Sequence, residues 1–237
     1  MRQALLLLPV LAAAVVLGAC GGSEPTALQP APTVDVAQAA ARTVDVGSAR
    51  FSLSGEGRRG GPFTGEGELA GDRARLELHF SEAGALLPAD VEVVYADGTL
   101  YARLSGMAGL LPGLLSGGGE WISVDLEADG DLLGEYLDLG QGDPTRLLET
   151  LEAAGAFDEV GSERVRGVET THYRGSVESS RVDVWVGADG LVRRVSVSDG
   201  ESTDVRLELF DFGADVEIEP PPSQDVTKLD GLLQGGF

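Results

Sequence analysis

Short runs in which apolar and polar side chains alternate constrain the fold of this chain more than any other feature. In residues 73–80 every second side chain is apolar, and the others are Arg, Glu or His. Such alternation predicts a strand with one apolar face. The pattern recurs in residues 91–95, 120–126, 181–186 and 204–210, and Asp-Gly pairs at 97–98, 189–190 and 199–200 predict turns. With further predicted strands at 50–56, 63–69, 99–104, 163–168, 170–177 and 191–197, these runs predict an antiparallel sheet of about ten strands.

Helix signals are fewer. Residues 34–46, which Thr33 could cap, predict a first helix with Val36, Ala40, Thr43 and Val44 near one face. The second predicted helix has Asp143 as its cap, Pro144 in its first position, and Gly155 at its end. Its apolar stripe is Leu147, Leu148, Leu151 and Ala154. The chain is therefore predicted to be α+β, with two or three helices, a last short strand at 216–218 and a loose tail at 223–237.

The predicted sheet has an apolar face that two short helices can cover only in part. Closing the sheet, packing two sheets together, or placing a ligand on the face would each complete the cover. The apolar segments at residues 85–88 and 107–115 favour a ligand, because such loops line a cavity, meet a membrane or contact a partner. The alternative is that these loops plug the core.

The N-terminus has the pattern of a bacterial lipoprotein signal. Residues 4–16 are almost wholly apolar, follow Arg2, and end in Leu17-Gly18-Ala19-Cys20, an aliphatic residue and two small residues before Cys. We predict a signal peptide at 1–19, a lipidated tether at 20–33, and Cys20 carrying diacylglyceryl and palmitate groups as the lipid anchor. Two or more acyl chains give stable anchoring. The alternative is a plain transmembrane anchor with an incidental Cys.

Composition excludes several classes of function. The chain has 237 residues with 17 basic and 39 acidic side chains, a net charge of −22, which argues against nucleic-acid binding. Its single Cys excludes an internal disulfide, and with only two His we expect no metal site and no cofactor. His79 and His172 are predicted to be surface residues. Since the chain has no Gly-x-Ser-x-Gly elbow, we expect no enzyme, and a carboxylate hydrolase remains the least favoured option.

Several stretches make the chain resemble the actinobacterial LppX/LprG-type lipoproteins. They are YADGTLY at 95–101, GSERVRGVETTHY at 161–173, VDVWV at 182–186 and DGLVRR at 189–194. The resemblance covers about residues 17–222 and includes the lipobox, the tether and the order of the elements.

This resemblance implies a lipid-binding domain at 34–222, similar to the LolA and LolB carriers. Its fold would be a single strongly curved antiparallel sheet, a half-open β-barrel, with helices covering the concave face around an apolar cavity. The implied function is to bind the acyl chains of a lipid or lipoglycan and to carry or present it, on the extracytoplasmic side of the cell membrane. Expected partners are that ligand, the membrane through the acyl anchor and, as an option, an export or transporter protein.

The predicted cavity residues belong to the inward face of the strands and to one loop. The wall is Leu76, Leu78, Phe80, Val93, Tyr95, Leu100, Leu104, Ile122, Val124 and Val184, and the mouth or lid is Met107, Leu110 and Leu114. An alternative function is an envelope sensor or lipoprotein-chaperone interaction module without lipid transport, in which the 107–115 loop would contact protein.

Overall fold

The computed structural model describes residues 35–57, 61–81, 90–104, 120–126, 147–148, 151, 156–177, 180–200 and 204–228. They form one bounded α-helix, α1 at Val36–Asp45, and twelve strands. The strands are β1 Ser48–Gly57, β2 Gly61–Ala70, β3 Arg73–Phe80, β4 Asp90–Ala96, β5 Thr99–Leu104, β6 Trp121–Asp125, β7 Asp158–Val165, β8 Val168–Val177, β9 Ser180–Gly187, β10 Val192–Ser198, β11 Asp204–Phe210 and β12 Val226–Lys228. The chain divides into Met1–Thr33, which lies outside the described residues, and Val34–Phe237.

All twelve strands belong to one sheet. Its order is β12-β6-β5-β4-β3-β2-β1-β11-β10-β9-β8-β7, and every pair is antiparallel except β12 with β6. The two outermost strands have one neighbour each, so the sheet is curved but not closed. This confirms the predicted single curved antiparallel sheet. At its centre β1 pairs with β11, which joins the first six strands to the later ones.

The helical content differs from the prediction of two or three helices. Among the described residues only α1 has defined bounds, and its cap is Asp35, whose carboxylate accepts from the N–H of Ala37 at 3.0 Å. The predicted cap Thr33 lies outside the described residues. So does most of the predicted second helix, of which Leu147, Leu148 and Leu151 are helical. No described helix is long and apolar enough to cross a membrane.

The hairpin turns follow the sequence. Asp97 and Gly98 between β4 and β5 have φ values of 53° and 75°, the left-handed pair that a tight two-residue hairpin turn requires. Arg166 and Gly167 form the same left-handed pair between β7 and β8, with φ values of 48° and 83°. Glycine takes this conformation without steric cost, so these dipeptides fix the register of both hairpins.

Helix α1 is attached to the start of β10 through one buried hydroxyl. Thr43 Oγ1 donates to the carbonyl of Ala39 at 2.7 Å and accepts from the N–H of Val192 at 2.9 Å. The β9–β10 register shifts between Val192 and Arg194, beside this bond. The apolar side chains of Val36, Ala39 and Ala40 are also buried, so the helix covers the sheet at β9 and β10.

Two parts of the predicted C-terminal region differ. Residues 216–218 alternate in polarity but form no strand, because Ile218 packs as a single buried side chain against Val94 and Ala96. The predicted loose tail contains a 3₁₀ turn at Ser223–Asp225 and then β12. A three-residue strand is too short to produce a periodic pattern, so its partner β6 determines it rather than its own sequence.

Candidate functional site

One face of the sheet is apolar across its whole first half. Ala102 on β5 lies opposite Val93, Val93 opposite Leu76, Leu76 opposite Gly67, and Gly67 opposite Phe51. Residues directly paired in antiparallel strands project to the same side. This row therefore runs along a single face from β5 to β1.

The same face continues through the second half. Leu53 on β1 pairs with Leu207, which pairs with Val195, and the row continues through Val184 to Tyr173 on β8. Including β6, whose Ile122 lies opposite Ala102, the apolar face spans ten strands. At about 4.8 Å per strand, that is roughly 43 Å along the curve.

The structure brings the predicted wall residues together on this face. They are Leu76, Leu78, Phe80, Val93, Tyr95, Leu100, Ile122, Val124 and Val184. Leu104 is paired in register with Val91. Met107, Leu110, Leu114 and Cys20 lie outside the described residues. The contact of any of these residues with a ligand stays a prediction.

The middle of the apolar face is filled by the chain's own side chains. Phe51 is 0% exposed and its ring lies over Gly67, where an added Cβ would be 2.4 Å from Phe51 Cζ. Leu76 and Leu78 lie over Gly65 in the same way, with methyl carbons 3.0 Å from the position of a Cβ. The glycines of β2 thus leave room that neighbouring side chains occupy.

One end of the apolar face is less covered. We call Val197, Val205, Gly55, Phe63 and Phe80 the rim row, because they are consecutive cross-strand partners from β10 to β3 at the end of the strands. Phe63 is buried, with its ring centroid 6.0 Å from that of Phe80, whereas Val197, Val205 and Phe80 are half-buried. An apolar ligand would meet the sheet here without displacing the packed middle.

The opposite face is polar, and one of its two histidines is largely covered. His172 was predicted to be a surface residue, yet its side chain is only 15% exposed and stacks on Trp185 with ring centroids 4.3 Å apart. Its Nε2 lies 2.6 Å from the carboxylate of Asp183, which also accepts from Arg174 Nε at 2.8 Å. His79, on the same face, is exposed as predicted.

The polar face continues as a network of ion pairs. Glu163 accepts from Trp185 Nε1 at 2.9 Å and from Arg194 at 3.1 Å, and Arg194 also donates to Glu208 at 2.9 Å. The hydrogen bond from Trp185, and then the nearby Arg194 cation, hold the pKa of Glu163 below its usual value. Because these charged groups satisfy one another across β7, β9, β10 and β11, the network ties the strands together.

No protein-family model matches the chain. A candidate lipoprotein of Streptomyces coelicolor is 31% identical over 129 residues, covering 49% of this chain and 45% of that protein. The chain spans only 45% to 52% of the length of the curated Streptomyces relatives that it matches.

Two solved mycobacterial structures share the fold. LprF of Mycobacterium bovis has a TM-score of 0.54 at 13% identity, covering 82% of this chain and 99% of that chain. The lipoprotein LppX of Mycobacterium tuberculosis has a TM-score of 0.50 at 14% identity, covering 78% of this chain and 98% of that chain. The comparisons thus confirm the resemblance to the actinobacterial LppX/LprG-type lipoproteins, whose fold this chain has.

Proposed function

We propose that this chain is a lipoprotein of the cell envelope that binds the acyl chains of a lipid or lipoglycan and carries or presents it. The observation that carries the proposal is the apolar face across ten strands, with its half-buried rim row. The fold that this chain shares with LppX supports the proposal, and so does its sequence similarity to the candidate lipoprotein of Streptomyces coelicolor.

The rim row is the part of this face where an acyl ligand would add cover. Helix α1 packs at β9 and β10, and an α-helix with its side chains is about 10 Å wide. It therefore covers about a quarter of a face roughly 43 Å across. Leu148 and Leu151, both 1% exposed, cover a further part. Most of the predicted wall residues are already at most 8% exposed, so we propose that an acyl chain packs on Val197, Val205 and Phe80 of the rim row, which are half-buried.

Acyl burial alone would drive binding, so the proposal needs no catalytic group. Each buried methylene is worth about 0.8 kcal/mol, and a chain of about 16 carbons could gain on the order of 10 kcal/mol before the cost of ordering it. The charged cluster around Asp183 lies on the opposite face and is internally paired. We propose a non-enzymatic role.

The ligand test compares two neighbouring residues of β11 that face opposite ways. Val205→Glu places a carboxylate in the rim row, whereas Arg206→Glu changes an exposed residue of the polar face. We expect native mass spectrometry of gently purified wild type to show bound lipid, and Val205→Glu to weaken uptake of a fluorescent fatty acyl probe at least tenfold. Arg206→Glu should bind the probe as wild type does. A lipid-free protein that takes up no probe would contradict the proposal.

We propose that Cys20 attaches the protein to the extracytoplasmic side of the membrane, with residues 20–33 as the tether. Wild type should take up palmitate label, and Cys20→Ser should abolish the labelling. Wild type that is membrane-bound yet takes up no label would indicate the plain transmembrane anchor instead.

A second candidate function is an interaction module that senses the envelope state or assists other lipoproteins without transporting lipid. The packed middle of the apolar face favours it, since Phe51, Leu76 and Leu78 are at most 4% exposed. If added fatty acid leaves both the stability and the mass of the purified protein unchanged, this second function is the better one.

A further inference from the structure

The segment after β11 crosses the polar face of the sheet and joins the sheet again as its edge strand β12, beside β6. We call residues 211–228 the C-terminal strap. It starts beside β1, where the N–H of Gly213 donates to the carbonyl of Ser48 at 2.9 Å and Ser48 Oγ donates to the carbonyl of Ala214 at 2.7 Å. It ends as β12, paired with β6 at the other side of β2 to β5.

The middle of the strap is firmly held. Ile218 is 4% exposed and packs against Val94 and Ala96 on the polar face of β4, with Trp121 and Tyr101 partly buried around them. Its carbonyl accepts from Arg73 Nη1 at 3.1 Å, and the other end of the same guanidinium donates to Asp97 at 3.0 Å. Ile218 is therefore the anchor of the strap.

The end of the strap is weakly held by comparison. β12 is three residues long, with Val226 and Thr227 half-buried and Lys228 exposed. It is parallel to β6, and parallel pairing is slightly less stable per residue than antiparallel pairing. Three prolines at 220–222, each with a restricted φ, separate it from the anchor.

We propose that β12 is a latch: it detaches from β6 while Ile218 stays in place, and its release opens the β6 edge of the apolar face. β6 has five residues and only two neighbours, β5 and β12, so losing β12 leaves it held on one side alone. Ile122 and Val124 of β6 belong to the apolar face and would separate from it as β6 frays. This inference rests on the proposed function, because the opened edge gives lateral access to an acyl ligand.

The test is a reversible covalent lock of β12 onto β6. Ser123 and Lys228 are register partners, and S123C/K228C in a Cys20→Ser background gives one disulfide with no competing thiol. We expect β6 amides to exchange hydrogen faster than β1 amides in the reduced protein. Oxidation should slow β6 exchange at least tenfold and slow release of a fluorescent fatty acyl probe at least tenfold, and reduction should restore both rates.

A matched lock elsewhere controls for general stiffening. T64C/H79C joins two exposed register partners of β2 and β3, away from the strap, and should change neither rate. The latch is refuted if β6 exchanges as slowly as β1 before oxidation, or if the S123C/K228C lock leaves probe release unchanged. If no variant takes up the probe, both the proposed function and the role of the latch in ligand access fail. Hydrogen exchange of the β6 amides still decides by itself whether β12 detaches.

Discussion

A glycine beneath an aromatic ring gives a sharp quantitative test of the packing at the β8 end of the apolar face. Gly175 on β8 lies opposite Val182, and a Cβ added to it would lie 2.7, 2.9 and 3.1 Å from three ring carbons of Phe157. Those ring carbons are the three nearest atoms, and carbon pairs prefer about 3.5–4.0 Å. Gly175→Ala therefore forces the Phe157 ring to move.

Two opposing effects set the magnitude. Overpacking a filled site costs about 1–3 kcal/mol, whereas replacing Gly by Ala within a strand gains about 0.5–1 kcal/mol in backbone entropy. The difference is a net loss of up to about 2.5 kcal/mol, so we expect Gly175→Ala to be neutral to destabilising in the wild-type background. In a Phe157→Ala background the ring is gone, so the same substitution should gain the entropic part, and the two sites should couple by about 1–3 kcal/mol.

Urea unfolding followed by tryptophan fluorescence measures all four proteins of this cycle. Phe157→Ala is itself destabilising, because the ring packs against the core. The cost of Gly175→Ala is therefore compared between the wild-type background and the Phe157→Ala background. If Gly175→Ala costs the same in both backgrounds, the Phe157 ring does not lie over Gly175 and the reasoning is wrong.

Three further predictions use the same measurement. Phe51→Ala empties a fully buried site and should lower the free energy of unfolding by about 3–5 kcal/mol; a loss under 1 kcal/mol would contradict the packed middle. Thr43→Val leaves the buried N–H of Val192 without its acceptor and should cost about 1–3 kcal/mol, whereas Thr43→Ser should largely keep the bond. The folded-state pKa of Glu163 is lowered, chiefly by the hydrogen bond from Trp185, so the ionised carboxylate stabilises the folded protein. That stabilisation is fully present above the usual glutamate pKa of about 4.3 and is lost as the pH falls through the lower folded-state pKa. Glu163→Gln should remove this part of the loss of stability at low pH. Equal pH profiles of the free energy of unfolding for the variant and the wild type would count against this role of Glu163.

The strands that sequence predicted well are those whose pattern is local. In β3 the alternation of Ala74, Leu76 and Leu78 with charged residues determines both the strand and the face that it buries. The turn at Asp97–Gly98 is equally local, because two left-handed residues are needed and this dipeptide supplies them. Five runs of alternating pattern were enough to predict that the sheet has one apolar face.

What sequence did not predict depends on neighbours across the sheet. His172 alternates as a polar residue of β8, and its burial comes from Trp185 and Asp183 on β9, which only the register brings beside it. β12 likewise exists because β6 offers an unpaired edge. Val216 and Ile218 have the spacing of a strand, but Ile218 packs on an apolar patch and has no partner strand among the described residues.

The pairing of β1 with β11 has a consequence for how the protein forms. Phe51 and Leu209 are neighbours in the sheet but lie far apart in the sequence, so their pairing closes a very long loop. Contacts of this kind form slowly, because the entropy of closing the loop is lost before the contact is gained. Until they form, each half of the sheet is a separate meander with its own exposed apolar edge, a state prone to aggregation. The continuous apolar face is therefore complete only after the seam between β1 and β11 has closed, late in folding.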